Sequence, residues 1–270
     1  MFQPGFDLDS PFPVTPEQVA LYRDNGFLKL KRVLAPEVLD FYGAEITRQV
    51  QRLNPQALPM EQRTMYDRAF LQVMNLWQQS ERVKEFVLGR RLAQIAATLM
   101  GVEGVRIYHD QALYKEPGGG VTPWHADQYY WPVASDKTCT VWIPLQDTPL
   151  DMGPLAFCPG SHTLTYGRDL EIGEESEIKL QQALAGYGLE ESAFDLGEVS
   201  FHSGWTFHRA GVNQSSQARA VMTIIYMDSQ MRLMAPKNKN QVNDHKTWCP
   251  GAVPGEVIAT PLNPIVYEKK

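Results

Sequence analysis

Cysteine is scarce in this chain. Only Cys139, Cys158 and Cys249 occur in 270 residues, an odd number with no C-x-x-C pair. Neither a disulfide framework nor a zinc ribbon is expected, and a reducing, cytoplasmic setting is. No run of about 18 apolar residues exists, so no membrane-spanning helix is expected. The opening Met1-Phe2-Gln3-Pro4-Gly5-Phe6-Asp7 has no basic stretch followed by an apolar one and does not read as a secretory signal. Positive charge is not in excess either. The 25 Lys and Arg face 31 Asp and Glu, and the net charge of -6 argues against a nucleic-acid partner. Internal repeats and low-complexity tracts are missing as well.

What remains is an ordinary globular composition, 43% hydrophobic and 21% charged. The first hundred residues read as helical. Thr15-Pro16-Glu17-Gln18 has the form of a capping box with proline at the first helical position, and the helix it opens should stop near Asn25-Gly26. A second helix is expected from Pro36 to about Leu53, with further pieces over 80–88 and 92–100, the last closed by Gly101. After Gly101 the texture changes to short apolar runs separated by turn residues, at 105–108, 112–114, 138–145, 155–157, 198–202 and 220–227. Their length and β-branched content suit strands, and many short strands suggest a sandwich or barrel. A Glu-rich insertion containing a helix is expected over 164–196. No linker separates the halves, so one domain over 1–270 is expected. It has helical support over about 1–101, a β core over about 102–230 and an extension over about 231–270.

Among the six histidines, His125 stands out because it opens His125-Ala126-Asp127. In an extended segment residues i and i+2 share a face, so His125 and Asp127 can hold one metal ion. His208, after the run at 198–202 and a turn at Ser203-Gly204, is placed at the end of the next strand and is the best third ligand; His202, six residues earlier, competes for that place. Two histidines and one carboxylate form the facial triad of non-haem Fe(II) oxygenases, which leaves adjacent positions for a chelating cosubstrate and O2. An H-x-D triplet alone is a frequent accident. Arg219 gives it weight: eleven residues after His208, at the start of the next apolar run, it can pin a carboxylate with charge-assisted hydrogen bonds.

With these residues in place, the sequence resembles the phytanoyl-CoA dioxygenase family of Fe(II)/2-oxoglutarate oxygenases. The resemblance runs from about Gln111 to Met227 and rests on pieces that match in order. They are Gln111 to Gly120 with Lys115 and Pro117, Trp124-His125-Ala126-Asp127, Trp142 within Thr140-Val141-Trp142-Ile143-Pro144-Leu145, Met152-Gly153-Pro154-Leu155 leading to Pro159-Gly160-Ser161-His162, and His208 with Arg219. It implies a mainly β fold with flanking helices around a double-stranded β-helix, or jelly-roll. It also implies iron held by His125, Asp127 and His208, and Arg219 bound to the distal carboxylate of 2-oxoglutarate. Trp142 and Gln111 would line the cosubstrate pocket, although Gln111 stands where the family often has methionine. The Pro159–His162 turn is a family signature and is read as structural. The implied reaction consumes 2-oxoglutarate and O2, releases succinate and CO2, and most often hydroxylates an unactivated C–H bond. Halogenases of the superfamily put a small residue in the carboxylate's place, so Asp127 leaves no evident position for halide.

Substrate contacts are assigned to Tyr129, Trp131 and Trp205, aromatics adjoining the triad, which would suit a small organic molecule of hydrophobic or secondary-metabolite type. After Met231 and Met234, the segment Pro236-Lys237-Asn238-Lys239-Asn240 could form a lid or a carrier-recognition loop and is read as a solvated loop. No obligate protein partner is evident. Two other readings stand beside the oxygenase. A zinc-dependent hydrolase on the same scaffold leaves Arg219 without a role, and a binding or sensor protein that lost its chemistry has no use for an intact triad.

Overall fold

The computed structural model describes residues 5–54, 56 and 58–269. The N-terminal region is helical, as expected: α1 (Pro16–Asn25), α2 (Pro36–Leu53), α3 (Met65–Ala69), α4 (Glu81–Val87) and α5 (Arg90–Met100). Two short strands interrupt it, β1 (Phe27–Leu30) and β2 (Leu71–Met74). The capping box of α1 forms in both directions, Thr15 Oγ1 accepting from Gln18 N and Gln18 Oε1 from Thr15 N. Gly26 then ends the helix at φ 81°. A Cβ there would come within 2.5 Å of His162 Nδ1 and 2.6 Å of Thr206 Oγ1. Only glycine allows both that backbone and that approach.

The β core follows as β3 (Gly104–Lys115), β4 (Thr122–His125), β5 (Thr138–Pro144), β6 (Leu155–Phe157), β7 (Glu190–Glu191), β8 (Val199–Ser203), β9 (His208–Ala210), β10 (Arg219–Asp228) and β11 (Ile265–Glu268). Helix α6 (Glu174–Ala183) occupies the Glu-rich insertion, and α7 (Lys239–Trp248) lies in the C-terminal extension. The strands form two antiparallel sheets. The larger runs β1-β8-β5-β10-β3-β11, with β2 also on β3; the smaller runs β4-β9-β6-β7. This is the jelly-roll arrangement of two facing sheets.

Strand alternation divides the side chains of the large sheet. Met222, Ile224 and Tyr226 of β10, Val141 and Ile143 of β5, and Val199 and Phe201 of β8 face outward. There they meet Ile46, Phe86, Ile95 and Leu99 of the helices in one core. Arg219 and Thr223 of β10, Thr140 and Trp142 of β5, and His202 of β8 face the other way, into the space between the sheets. Expected runs 105–108 and 112–114 are in fact one strand, β3. A one-residue bulge opposite Ile225/Tyr226 shifts its phase: Ile107 packs on the helices, whereas His109 and Gln111 point inward.

The segment 236–240, read as a solvated loop, stays at least partly exposed, but the extension around it packs on the core. Met231 is buried against Trp131 and Tyr108, β11 pairs with β3, and α7 covers the mouth of the barrel. Burial of Met231, Leu233, Cys249 and Ile258 in one apolar cluster anchors this segment, roughly 1.5–3 kcal/mol for each large aliphatic chain removed from water.

Candidate active site

Strand β4 ends at His125, and Ala126 keeps an extended backbone (φ -122°, ψ 128°) before Asp127 opens a single 3-10 turn. The i, i+2 geometry therefore survives the end of the strand. Strand β9 lies antiparallel to β4 with His208 directly opposite His125. His208 thus starts the strand after the turn rather than ending one. The insertion helix α6 ties these two strands together: Glu177 accepts from Trp124 N at 2.6 Å and from Arg209 Nη1 at 3.3 Å, one neighbour of each histidine.

His125, Asp127 and His208 converge, with ligand atoms all within 4.8 Å of one another. The two histidine Nε2 atoms each lie 3.7 Å from the same oxygen, Asp127 Oδ1. Their other ring nitrogens face backbone carbonyls, His125 Nδ1 to Pro123 O at 2.7 Å and His208 Nδ1 to Thr206 O at 2.9 Å. A carbonyl only accepts, so Nδ1 carries the proton on both rings and both Nε2 lone pairs turn toward Asp127. Burial pushes both imidazoles down to about 4 and keeps them neutral near pH 7. Burial would raise Asp127, but the surrounding imidazoles, His208 foremost, and the hydrogen bond from His202 outweigh it, and the carboxyl is held well below the usual carboxylate range. Two neutral nitrogen donors and one carboxylate oxygen on one face suit a divalent iron site with open positions.

The same cavity, about 330 Å³, contains Arg219. Only 1% of Arg219 is exposed. Its guanidinium donates to Gly153 O and lies 5.4 Å from the Trp142 ring, while Nε has no partner. Among the described residues no carboxylate lies within ion-pair reach of it. Burial lowers it only to about 9, so it stays cationic. Lys115, its cross-strand neighbour, is lowered to about 6 by burial and by Arg219, and it donates to Gly120 O and Thr122 Oγ1. A desolvated cation without an anion is costly, and an anionic cosubstrate in the cavity would relieve that cost. Trp142 Nε1, also buried and unpartnered, adds a donor in the same space. The donor set and these orphaned groups fit both iron and a dicarboxylate.

Gln111 and Trp142 both line the cavity, and Gln111 Oε1 accepts from Gln72 Nε2 at 2.6 Å. Of the expected substrate contacts, Trp131 lines it too. Tyr129 and Trp205 line an adjoining groove instead, Trp205 beneath the guanidinium of Arg168. Beside Trp131, the ring that reaches the cavity from this segment is Tyr130 rather than Tyr129, because the 3-10 turn that Asp127 opens breaks the alternation of a strand. Other parts of the wall come from residues to which sequence reasoning assigned no role. His109 enters through the β3 bulge; Asn240, Asn243, Asp244 and Trp248 enter from α7. Asp244 accepts from Tyr108 Oη at 3.1 Å, and burial raises its carboxyl to about 7. For the α7 residues the signal was a periodic one, since Asn240, Asp244 and Trp248 recur every four positions on a segment that Asn238 caps.

The model of the family described as phytanoyl-CoA dioxygenase matches residues 22–221, well over half of the chain. The chain belongs to the phytanoyl-CoA dioxygenase family. Its class is that of non-haem dioxygenases that use Fe(II), 2-oxoglutarate and O2. Relatives of the family member include the probable alpha-ketoglutarate-dependent hypophosphite dioxygenase of Stutzerimonas stutzeri, 27% identical over 54% of this chain and 53% of that protein. The chain thus spans about half the length of that relative. The ectoine dioxygenase of Streptomyces anulatus is 23% identical over 80% of this chain and 79% of its own. The fold is shared with the 2-oxoglutarate-dependent carbocyclase of nogalamycin biosynthesis, at TM-score 0.78 and 23% identity over 96% of this chain and 100% of that one. It is shared as well with EctD from S. alaskensis holding 2-oxoglutarate and 5-hydroxyectoine, at TM-score 0.69 and 19% identity over 92% and 86%. No helix among the described residues is long and apolar enough to cross a membrane.

Proposed function

We propose that His125, Asp127 and His208 hold the iron, that Arg219 holds the distal carboxylate of 2-oxoglutarate, and that the enzyme hydroxylates an unactivated C–H bond of a small organic substrate. The observation that carries this reading is the pairing of two histidine lone pairs on Asp127 Oδ1 with a buried, anion-free Arg219 in the same cavity. Iron with 2-oxoglutarate and O2 supplies the oxidising power, with succinate and CO2 released. The protein binds, orients and shields. Pro123 O and Thr206 O fix the tautomers of the two histidines; Glu177 fixes the spacing of their strands. Arg219 and Trp142 orient the cosubstrate from the far end of the cavity.

The walls nearest α7 support a substrate that is not wholly apolar. Trp131, Tyr130 and Trp248 offer flat faces, while Asn240, Asn243 and Asp244 offer hydrogen bonds. Arg219 is the sole cationic side chain among the lining residues, so the substrate held there is neutral or cationic where it meets the wall. The enzyme is proposed to work in the cytoplasm as one domain over 1–270, with all three thiols buried and free. The test is aerobic turnover of 2-oxoglutarate with Fe(II). Succinate formation that requires O2 and disappears in Asp127→Ala supports the reading. Zinc-dependent, oxygen-independent hydrolysis would contradict it.

A further inference from the structure

A third histidine stands in the metal site and has no place in the triad. His202 lies on β8 between β1 and β5, opposite Thr140, with 1% of its side chain exposed. Its Nε2 is 3.3 Å from Asp127 Oδ2, and Thr140 Oγ1 donates to that same oxygen at 3.0 Å. The two oxygens of Asp127 are therefore divided. Oδ1 faces the Nε2 atoms of His125 and His208, and Oδ2 faces His202 and Thr140.

The tautomer of His202 follows from its surroundings. Nδ1 is buried and has no hydrogen-bond partner. A proton on Nδ1 would be an unsatisfied buried donor and would aim the Nε2 lone pair at a carboxylate oxygen. The opposite tautomer leaves only an idle acceptor and makes a charge-assisted bond to Oδ2. Nε2 thus carries the proton and has no lone pair to give a metal.

We propose that His202 is a positioning residue. Together with Thr140 it occupies Asp127 Oδ2, so that Oδ1 alone serves the metal and the carboxylate binds through one oxygen. The proposal rests on the triad reading above. Monodentate attachment keeps a coordination position open that a bidentate carboxylate would fill, and the site needs its open positions for cosubstrate and O2. A merely structural His202, packed 4.5 Å from the His208 ring and 5.5 Å from Phe157, would serve as well if replaced by another ring.

The test uses His202→Phe, which keeps a ring and loses the donor, His202→Gln, which restores an N–H, and Thr140→Val, which deletes the second donor with little change in shape. Two readouts are taken anaerobically on the full chain: Fe(II) affinity by competition with a chromophoric chelator, and the visible spectrum of the Co(II)-loaded protein, which reports coordination number. The expected result is a loss of roughly 10–100-fold in Fe(II) affinity and an altered Co(II) spectrum in His202→Phe. His202→Gln should recover most of both, and Thr140→Val should move both in the same direction as His202→Phe. A folded His202→Phe with wild-type affinity and spectrum overturns the proposal. So does metal retained in His208→Ala but lost in both His202 variants, which would make His202 a ligand. If neither His202 variant folds, a wild-type spectrum in Thr140→Val overturns it. Failure of the wild-type protein to bind Fe(II) would instead sink the triad reading.

Discussion

Replacing Arg219 by Met should separate stability from cosubstrate binding, with opposite signs. In the protein without cosubstrate, Arg219 is 1% exposed, donates to Gly153 O, leaves Nε unpartnered and has no carboxylate beside it. Burial lowers its pKa from the usual guanidinium range to about 9, so below pH 9 the folded state carries a charge it solvates poorly. The sign follows: a cation with a depressed folded pKa weakens the fold below that value, and the penalty fades as pH rises through the folded value toward the unfolded one. An unbranched apolar chain of similar length removes the penalty and keeps most of the packing. The unliganded variant should be as stable as wild type or more so, by up to about 1–2 kcal/mol, or roughly 2–6 °C in Tm. Binding of 2-oxoglutarate should collapse. Truncating one partner of a buried charge pair costs about 2–5 kcal/mol, roughly thirty- to several-thousand-fold in affinity. Differential scanning fluorimetry with and without 2-oxoglutarate, on metal-loaded protein, reads both effects, and wild type alone should show a ligand-induced rise. A variant that is less stable yet still binds 2-oxoglutarate tightly would refute the reasoning and make Arg219 structural.

Three further outcomes follow from the geometry. Asp244→Asn should raise Tm at pH 8 by roughly 2–4 °C, about 1 kcal/mol, and change it little at pH 4. Its raised carboxyl, about 7, stabilises the fold only while protonated, and that contribution is lost as pH climbs from about 4 to 7; an equal gain at both pH values would contradict this. Gly26→Ala should cost about 2–3 kcal/mol, because a Cβ at φ 81° would meet His162 and Thr206; an unchanged Tm in thermal unfolding would show that this contact gives way. Ile95→Ala, fully buried where α5 meets the large sheet, should cost about 2–5 kcal/mol in urea unfolding with metal affinity kept, and loss of metal without loss of stability would contradict the separation of core from site.

Much of this was legible in the sequence where the physics is local. The Thr15 capping box, the stop at Gly26 and the end of α5 at Gly101 lie within a few residues of the features that cause them. The H-x-D pair was readable because its two ligands share one extended segment, and Arg219 because it opens an apolar run; His208 was found from the turn before it and its spacing to Arg219, although it starts its strand rather than ending it. What escaped depends on distant partners. β3 reads as two runs because Asp110 interrupts its apolar pattern, yet that carboxylate is buried to accept from Leu76 N and Trp77 N, a need invisible near position 110. The bulge beside it moves His109 into the cavity against the simple alternation. Helix α7 has little apolar character, because its inward face lines a polar wall rather than a core; its start fell in the segment read as a solvated loop, and no helix was expected beyond it. His202 was seen as a rival of His208, and only the division of the Asp127 oxygens gives it a different part.

The most direct test is an anaerobic titration of metal-free protein with Fe(II) and then 2-oxoglutarate, followed by the weak visible charge-transfer band of the chelate. A band that saturates near one equivalent in wild type, and is absent in His125→Ala and Asp127→Ala proteins that remain folded, is the predicted result. Folded wild-type protein that binds Fe(II) and gives no band with 2-oxoglutarate would contradict it.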